Sequence, residues 1–383
     1  MNIALTEVCD FQGGTQPPKN EWIDHEEKGY VRMLQIRDFT QSEKGNIEYV
    51  KDTKNLKKCS VDDILIGRYG ASVGKILTGL SGAYNVAIVK AIPDKKKIYT
   101  RYLFYYFNSP YFQNFIKSVG SRAAQAGFNK DDLKNAFIPL LSIDEQRKIA
   151  AVLDKVSGLI AKRRQQLSKL DEMVKSRFVE MFGDCRTNPQ KWKVCKLEDI
   201  AQVGSSKRVF VEEMKESGVP FYRGTEIGAL AEGKNIKPEL FIMQQHYEKL
   251  CQATGKPQIG DLLMPSICPD GRIWVVNSEE PFYFKDGRVL WVHDINKEFN
   301  SIFLLYALKD RIMTDYNSIA SGTTFAELKI FSLKQCEIFD VPSELQNQFA
   351  TFVEQTEKTK TTISRSLEKL ETLKKALMQK YFG

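Results

Sequence analysis

The chain has 383 residues, of which 42% are hydrophobic and 27% are charged, and its formal net charge is +8. A chain of this length is too long for one ordinary hydrophobic core, so we expect two domains with connecting elements. No apolar run reaches the roughly eighteen residues of a membrane-spanning helix, and the acidic Glu7 near the N-terminus argues against a signal peptide. The modest basic excess permits a polyanionic partner without requiring one.

The cysteines and histidines are scattered along the chain. The seven cysteines include no Cys-x-x-Cys pair, and His25, His246 and His293 form no His-Glu-x-x-His motif. This spacing is typical of reduced thiols and indicates neither a disulfide framework nor a zinc site. We therefore expect a cytoplasmic protein that binds no metal ion.

Residues 1–141 form the first predicted domain. The stretch 13–18 (GGTQPP) has the composition of a turn, Ala83–Ile92 (AYNVAIVKAI) that of a strand, and Tyr99–Ile116 that of an aromatic-rich core helix. The mixture of strand-like and helix-like segments predicts a compact α/β domain.

Residues 142–183 predict one long helix. Ser142 and Glu145 have the spacing of a capping box at its start, and Gly183 is a natural terminator. Five further side chains widen its apolar stripe, which indicates that more than one neighbour packs on the helix: Val156, Leu170, Val152, Leu159 and Met173. The stripe itself has a spacing of seven residues and consists of Leu153, Ile160, Leu167, Val174 and Met181.

Residues 184–342 predict a second α/β domain, and residues 343–383 a second long helix. In the domain, Arg272–Val276 is strand-like and Ser301–Tyr316 is helix-like, while Ser343 and Gln346 have capping-box spacing at the start of the helix. The stripe of this helix consists of Phe349, Thr356, Ile363, Leu370 and Leu377. The two stripes favour a coiled-coil spacer, although two ordinary amphipathic helices, each folded onto its own domain, would also produce them.

The two halves of the chain repeat each other. At an offset of 200 residues, Gln146 aligns with Gln346 and Leu170 with Leu370. With small gaps, the segment DIL at 63–65 aligns with DLL at 261–263. The repeat predicts the order domain, long helix, domain, long helix.

Several segments resemble catalytic motifs, but none of them has all the residues, at the required spacing, that the motif needs. The stretch 70–76 (GASVGKI) resembles a phosphate-binding loop, but it is one residue short and has Ile76 where a magnesium-binding hydroxyl is required. The stretch 108–111 (NSPY) resembles a methyltransferase loop without its first proline, and Pro110 more simply ends a helix. A nuclease-like set would need Asp270 and Lys329, nearly sixty residues apart. We therefore expect no catalytic residues.

Two linker stretches resemble the specificity subunits of Type I restriction-modification enzymes. The stretch 143–156 (IDEQRKIAAVLDKV) resembles the family's entry into its central helix. The stretch 181–206 (MFGDCRTNPQKWKVCKLEDIAQVGSS) resembles its passage into a second recognition domain. Together with the repeat, the resemblance covers essentially the whole chain, but it is weak inside the domains.

The resemblance implies a fold, a function and partners. Two α/β target-recognition domains in tandem, 1–141 and 184–342, would each recognise one half of an interrupted site in double-stranded DNA. The two helices would pack as an antiparallel coiled coil that sets the distance between the halves. Two modification subunits would supply methyl transfer, and restriction motor-nuclease subunits would supply cleavage. This chain would hold no cofactor, since S-adenosylmethionine and ATP would bind to the partner subunits.

Candidate DNA contacts follow from residue type and position in the repeat. Arginine, lysine and glutamine side chains read base edges, whereas hydroxyl groups and amides near glycine hold phosphates. In the first domain the candidates are Thr15, Gln16, Arg37, Arg68, Tyr69, Lys75, Arg122 and Gln125. In the second they are Lys207, Arg208, Arg223, Thr225, Arg272, Ser321 and Thr323.

Two other functions stay open at this point. The chain could be a stand-alone DNA methyltransferase or nuclease, although the missing motifs oppose this. It could also be a coiled-coil adaptor that binds no DNA. Methyl transfer by the chain alone, and DNA binding at controlled salt, distinguish these functions from the specificity subunit.

Overall fold

The chain divides into two units, each of which combines one sheet-containing domain with a segment of both long helices. The structure is a computed structural model that describes residues 2–41, 46–120, 127–322 and 326–383. Unit 1 comprises Met1–Gln165 and Ser364–Gly383, and unit 2 comprises Gln166–Ile363. Each long helix is therefore shared between the two units.

Unit 1 contains three sheets. Its strands are β1 (Asn2–Ala4), β2 (Cys9–Gly13), β3 (Trp22–Ile23), β4 (Tyr30–Leu34), β5 (Tyr49–Lys51), β6 (Lys58–Cys59), β7 (Ile64–Gly67), β8 (Ile76–Leu77), β9 (Gly82–Tyr84), β10 (Ile88–Pro93) and β11 (Phe137–Pro139). Its α-helices are α1 (Ile36–Thr40), α2 (Thr100–Phe107), α3 (Pro110–Gly120), the first part of α4 (Ile143–Phe182) and the last part of α10 (Ser343–Phe382). The strand orders are β2-β10-β7-β8, β3-β5-β4-β9-β6 and β1-β11.

Unit 2 has the same kinds of element. Its strands are β12 (Lys193–Lys196), β13 (Gln202–Gly204), β14 (Val219–Tyr222), β15 (Phe241–Ile242), β16 (Leu262–Pro265), β17 (Trp274–Val275), β18 (Tyr283–Phe284), β19 (Val289–His293), β20 (Ala320–Ser321), β21 (Glu327–Leu328) and β22 (Glu337–Asp340). Its α-helices are the last part of α4, α5 (Leu197–Ile200), α6 (Gly224–Ala231), α7 (Gln244–Thr254), α8 (Ser301–Ile319), α9 (Ile330–Lys334) and the first part of α10 (Ser343–Phe382). The strand orders are β13-β19-β16-β17, β15-β14-β18, β12-β22 and β20-β21.

Two sheets of unit 1 have strand-by-strand counterparts in unit 2. The order β2-β10-β7-β8 of unit 1 recurs as β13-β19-β16-β17, and the pair β1-β11 recurs as β12-β22. Each unit also has one parallel pair, β4 with β9 and β14 with β18. The predicted α/β fold with a tandem repeat is confirmed.

A buried glutamine joins each domain to a long helix. Gln146 accepts from Tyr99 N at 2.8 Å, and its Nε2 donates to Lys97 O at 3.0 Å and Leu141 O at 2.9 Å. Its side chain thus bridges the segment before α2 and the segment before α4. Because all three partners are backbone groups, the position depends on the amide and not on neighbouring side chains.

Within each unit the two helix segments run antiparallel. In unit 1, Ile149 and Leu153 share a core with Met378 and Phe382, and Arg164 is paired with Glu371 at 2.6 Å. Residue numbers thus rise along one helix as they fall along the other. In unit 2, Phe178 and Phe182 pack against Phe349, and Asp171 is paired with Lys360 at 2.7 Å.

The seven-residue stripes contain both buried and half-buried side chains. Leu153, Ile160 and Val174 are buried. By contrast, Leu167, Ile363, Leu370 and Leu377 are half-buried. The prediction that Val152, Leu159 and Met173 widen the buried stripe is wrong, since these side chains are 42%, 39% and 43% exposed.

Three local predictions are corrected. Tyr99–Ile116 is not one helix, because residues 108–109 separate α2 from α3. Ala83–Ile92 is not one strand, because residues 85–87 separate β9 from β10 and the two strands join different sheets. Gln346 does not complete a capping box with Ser343, because its amide is buried and binds Asn300 N, Glu298 O and Val341 O. The capping box of Ser142 and Glu145 is confirmed: Ser142 N donates to Glu145 Oε2 at 3.1 Å, and Glu145 N to Ser142 Oγ at 3.3 Å.

Candidate nucleic-acid interface

Several predicted contacts of unit 1 lie on loops at one edge of the four-stranded sheet. Strands β2 and β7 end at this edge, and β8 and β10 begin there, because each strand is antiparallel to its neighbours. We call the residues 14–18, 68–75 and 85–87 the loop edge of unit 1. It carries Thr15, Gln16, Arg68, Tyr69 and Lys75.

Arg68 is held by its neighbours on both sides. Its Nε donates to Phe128 O at 2.9 Å, and its guanidinium lies 5.0 Å from the centroid of the Tyr69 ring. A small cleft of about 190 Å³ beside it is also lined by Asn129 and Lys130. The sequence offered no motif for Asn129 or Lys130, which approach Arg68 only through the fold.

Among the described residues, Thr15 and Gln16 lie on these loops and Arg37 lies next to them. Thr15 N donates to Tyr84 O at 3.0 Å, and Gln16 is exposed. Asn85 N donates to Leu34 O at 3.2 Å, which brings the start of α1, and with it Arg37, to the loop edge.

Arg37 belongs to a charged cluster centred on Glu48. Its guanidinium pairs with Glu48, which also pairs with Lys19 and accepts from Gln35 Nε2 at 2.7 Å. Burial opposes ionisation of Glu48, but the Lys19 ammonium and the Arg37 guanidinium hold its pKa below the usual value. Arg37 would have to exchange Glu48 for a phosphate in order to bind DNA. Lys19 was not predicted.

The loop edge of unit 2, defined as residues 205–210, 266–273 and 285–288, corresponds to that of unit 1. It carries Lys207, Arg208 and Arg272. Lys207 is exposed, and its backbone N donates to Tyr283 Oη at 2.9 Å. Arg208 Nε lies 3.1 Å from Asp286 Oδ2, and Arg272 Nε lies 2.9 Å from Asp270 Oδ2.

Arg223 and Thr225 lie at the start of α6, next to this loop edge. Lys285 N donates to Tyr222 O at 2.9 Å, which holds the end of β14 beside residues 285–288. Arg223 pairs with Glu226 and with Glu239, the latter at 2.9 Å. Burial opposes ionisation of Glu226, but the hydrogen bonds from Arg223 lower its pKa to about 2. Arg223 therefore already has a structural role at the start of this helix.

The structure adds a basic pair in unit 2 that was not predicted. Ser266 N donates to Arg288 O at 2.9 Å, and the Arg288 side chain pairs with Glu327, which also pairs with Lys329 at 3.2 Å. The counterpart of Arg288 in unit 1 is Ala87, whose carbonyl accepts from Arg68 N. The repeat therefore gave no signal for Arg288.

Four candidates remain, of which only Ser321 belongs to the described part of the chain. Ser321 is exposed in β20, where it is paired with Glu327 of β21. Arg122, Gln125 and Thr323 lie outside the described residues. No predicted DNA contact is tested by the structure, so all of them stay predictions.

The described residues include no group of His, Cys, Asp and Glu that could hold a metal ion. Burial raises the pKa of the Cys9 and Cys268 thiols to about 12, so both are protonated at neutral pH. Among the described helices, none is long and apolar enough to cross a membrane. The loop edges offer basic and hydroxyl side chains, which suit the binding of a polyanion.

Comparison with known proteins identifies the family. The model of the Type I restriction modification DNA specificity domain matches the chain twice, over residues 1–171 and 189–372. The chain belongs to this family of DNA specificity subunits of Type I restriction-modification systems. The family resemblance of the two linker stretches is thereby confirmed.

Relatives match most of the chain at low identity. The specificity subunit of the Type I restriction enzyme MjaVIII of Methanocaldococcus jannaschii is 24% identical over 303 residues, which cover 72% of this chain and 68% of the relative. The MjaIX specificity subunit of the same organism is 22% identical over 378 residues, which cover 91% and 82%. The solved S subunit of a Type I restriction-modification system from M. genitalium has a TM-score of 0.59 at 15% identity, covering 100% of this chain and 96% of that one. This likeness in structure supports the fold.

Proposed function

We propose that the chain recognises a two-part, interrupted sequence in double-stranded DNA, one half with each domain, and catalyses no reaction itself. The observation that carries this proposal is the repeated loop edge, which presents different side chains on the same strand framework. A repeat within one chain imitates a symmetric dimer on two half-sites, while the diverged loops allow the half-sites to differ.

The partners in this proposal are two modification subunits and the restriction motor-nuclease subunits. Family membership supports an assembly of this kind. Methyl transfer would use S-adenosylmethionine bound to the modification subunits, and motor activity would use ATP bound to the restriction subunits. The start of α4 has Glu145 where α10 has Leu345, so the two surfaces offered to partners differ in charge.

Exchange of one domain tests whether each domain recognises its own half of the DNA sequence. Residues 1–141 are replaced by the corresponding domain of a relative, and methylated bases are mapped genome-wide in cells that carry the modification subunits. We expect one half of the methylated sequence to change and the other to stay. Cells without the chain are the control, and a change in both halves would contradict independent recognition.

Insertion into the helices tests their role as a spacer. One heptad added near Lys169 and one at the facing position of α10 lengthen each helix by about 10 Å, or about three base pairs of duplex. We expect the gap in the methylated sequence to lengthen while both halves are kept. Insertions of two residues are the control, since they turn the apolar stripe towards water and destabilise the chain. A folded heptad variant with an unchanged gap would rule out the spacer role.

Purified chain, free of partner subunits, tests the absence of catalysis. We expect no transfer of a radiolabelled methyl group and no DNA cleavage. Binding to specific and random duplexes at several salt concentrations distinguishes a DNA-binding subunit from an adaptor that does not bind DNA. Methyl transfer by the chain alone would support the stand-alone enzyme instead.

A further inference from the structure

Unit 2 contains a cavity of about 630 Å³ at the C-terminal end of α7. The other walls are the loop that follows this helix and the end of β19. Gly255 ends α7 with a φ of +80°, and a Cβ there would lie 3.6 Å from the Trp291 ring. The volume is in the range of small-ligand sites. The cavity does not belong to the loop edge, because β19 begins at the loop edge and ends at the cavity.

A buried carboxylate lies in the wall of this cavity. Asp261 is 6% exposed, and its Oδ2 accepts from Gln258 N at 2.8 Å and from Trp291 Nε1 at 2.9 Å. Within the described part of the chain, no group donates to Oδ1 and no lysine or arginine pairs with the side chain. A buried carboxylate is usually compensated by a cation, so this one has an open position.

The corresponding carboxylate in unit 1 has its cation. Asp63 makes the same turn as Asp261, since Ser60 N donates to Asp63 Oδ2 at 2.8 Å. The strand pairing aligns Lys90 with Trp291, because Lys90 is opposite Leu65 and Trp291 is opposite Leu263. The Lys90 ammonium lies 2.7 Å from Asp63 Oδ2. Unit 2 keeps the carboxylate and replaces the lysine with an aromatic ring.

The surrounding groups specify a flat cation. The rings of Trp291 and His293 are stacked, with centroids 3.9 Å apart and planes at 24°. The carboxylates of Glu248 and Asp294 also line the cavity, with Asp294 Oδ2 3.1 Å from His293 Nδ1, and Lys256 supplies one ammonium. Three carboxylates against one lysine disfavour a phosphate, and a stacked aromatic pair favours a planar cation over a spherical one.

We propose that this cavity binds a guanidinium group, which stacks on the His293 ring and donates hydrogen bonds to Asp261. A guanidinium combines a delocalised charge, a flat face and several donors in one plane. Burial raises the pKa of Asp261, although the hydrogen bonds from Gln258 and Trp291 and the nearby His293 oppose this shift. The proposal does not depend on DNA recognition.

Calorimetric titration of the full chain with n-butylguanidinium at constant ionic strength tests it. We expect one site per chain with a Kd of about 1 mM or tighter, and at least about tenfold weaker binding of n-butylammonium, which has the same charge without the planar head. Absence of saturable binding, or equal affinity for the two cations, would overturn the proposal.

Variants locate the site. Asp261→Asn is expected to weaken n-butylguanidinium binding by at least about tenfold, whereas the matched Asp63→Asn in unit 1 leaves it unchanged. Lys256→Gln is expected to tighten binding severalfold, because it removes the only ammonium of the lining. Because misfolding cannot tighten the binding of n-butylguanidinium, this variant distinguishes a binding site from a loss of folded protein. Equal binding by Asp261→Asn and the parent chain would place the ligand elsewhere.

A guanidinium could come from a free small molecule or from an arginine of a partner polypeptide. Titration with a blocked Gly-Arg-Gly peptide separates the two sources. Binding at least as tight as that of n-butylguanidinium would indicate an arginine side chain. Binding of the free cation alone would indicate a small molecule.

Discussion

Gln146 and Gln346 make the same three kinds of hydrogen bond in their two units, whereas Asp63 and Asp261 share only one. The glutamines bind backbone groups only, so neighbouring side chains can change without loss of these bonds. The aspartates each take a second partner from a side chain, Lys90 or Trp291, and that partner has diverged. The two units therefore share the glutamine hydrogen bonds that connect each domain to its long helix. They differ in the side chain that binds the aspartate beside the sheet.

The largest loss of unfolding free energy is expected when a buried leucine of the α4 stripe is truncated. Leu153→Ala removes a fully buried side chain and should cost about 3 kcal/mol of unfolding free energy, within the range for core cavities. Leu167→Ala, in the half-buried middle of the same helix, should cost about 1 kcal/mol. Urea denaturation measures both. Equal losses would mean that the middle of the helix is as tightly packed as its ends.

The buried glutamines should respond alike. Gln146→Ala leaves one backbone N–H and two carbonyls without their partner, which costs about 2–3 kcal/mol of unfolding free energy. Gln346→Ala should cost about the same, because its three bonds have the same geometry. The exposed Lys148→Ala is the control for the helix. If only one of the two variants lost unfolding free energy, the two glutamines would not have equivalent roles.

Much of this framework could be predicted from the sequence, because it follows from local rules. The offset of 200 residues, the long helices and the capping box at Ser142 depend on periodicity and spacing. Gln146 and Gln346 were aligned, but Gln346 was taken for a capping residue. Two of its three true partners, Asn300 and Glu298, lie more than forty residues away in sequence.

The candidate site was less accessible to prediction. Arg68 and Lys207 were predicted from residue type, and both lie on the loops. Residue type could not show, however, that a basic side chain such as Arg223 already forms ion pairs with carboxylates. The residue of unit 1 that corresponds to Arg288 is Ala87, so comparison of the two repeats could not predict a basic contact at this position. The Asp63 and Asp261 segments were aligned by sequence, yet the exchange of Lys90 for Trp291 becomes visible only in the strand register.

Arg68 tests whether the two loop edges act separately. Arg68→Ala should weaken binding of the assembled complex to its specific duplex by about 1–3 kcal/mol and relax only the half-site of unit 1. Arg223→Ala is the comparison in unit 2, where loss of the bonds to Glu226 should lower stability more than specificity. Duplexes with one half randomised measure the effect. Relaxation of both halves by Arg68→Ala would mean that the domains do not read independently.

The smallest effect is expected at the two aspartates, and its sign should differ between them. Burial opposes ionisation of Asp63, but the Lys90 ammonium holds its pKa below the usual value of about 3.9. Its contribution to stability is therefore complete above about pH 4 and is lost as the pH falls through the folded pKa. Burial raises the pKa of Asp261, so its contribution is complete below about pH 4 and is lost as the pH rises through the folded pKa.

Asp63→Asn and Asp261→Asn, compared with the parent chain by urea denaturation from about pH 3 to pH 7, measure this difference. Asp63→Asn leaves Lys90 without its partner, so its deficit should grow with pH to about 1 kcal/mol. Asp261→Asn retains an oxygen that can accept from both Gln258 N and Trp291 Nε1, and it removes a buried charge. Its stability relative to the parent should therefore improve as the pH rises. Parallel curves for the two variants would mean that Lys90 and Trp291 serve their carboxylates equally well, and that unit 2 needs no cation beside Asp261.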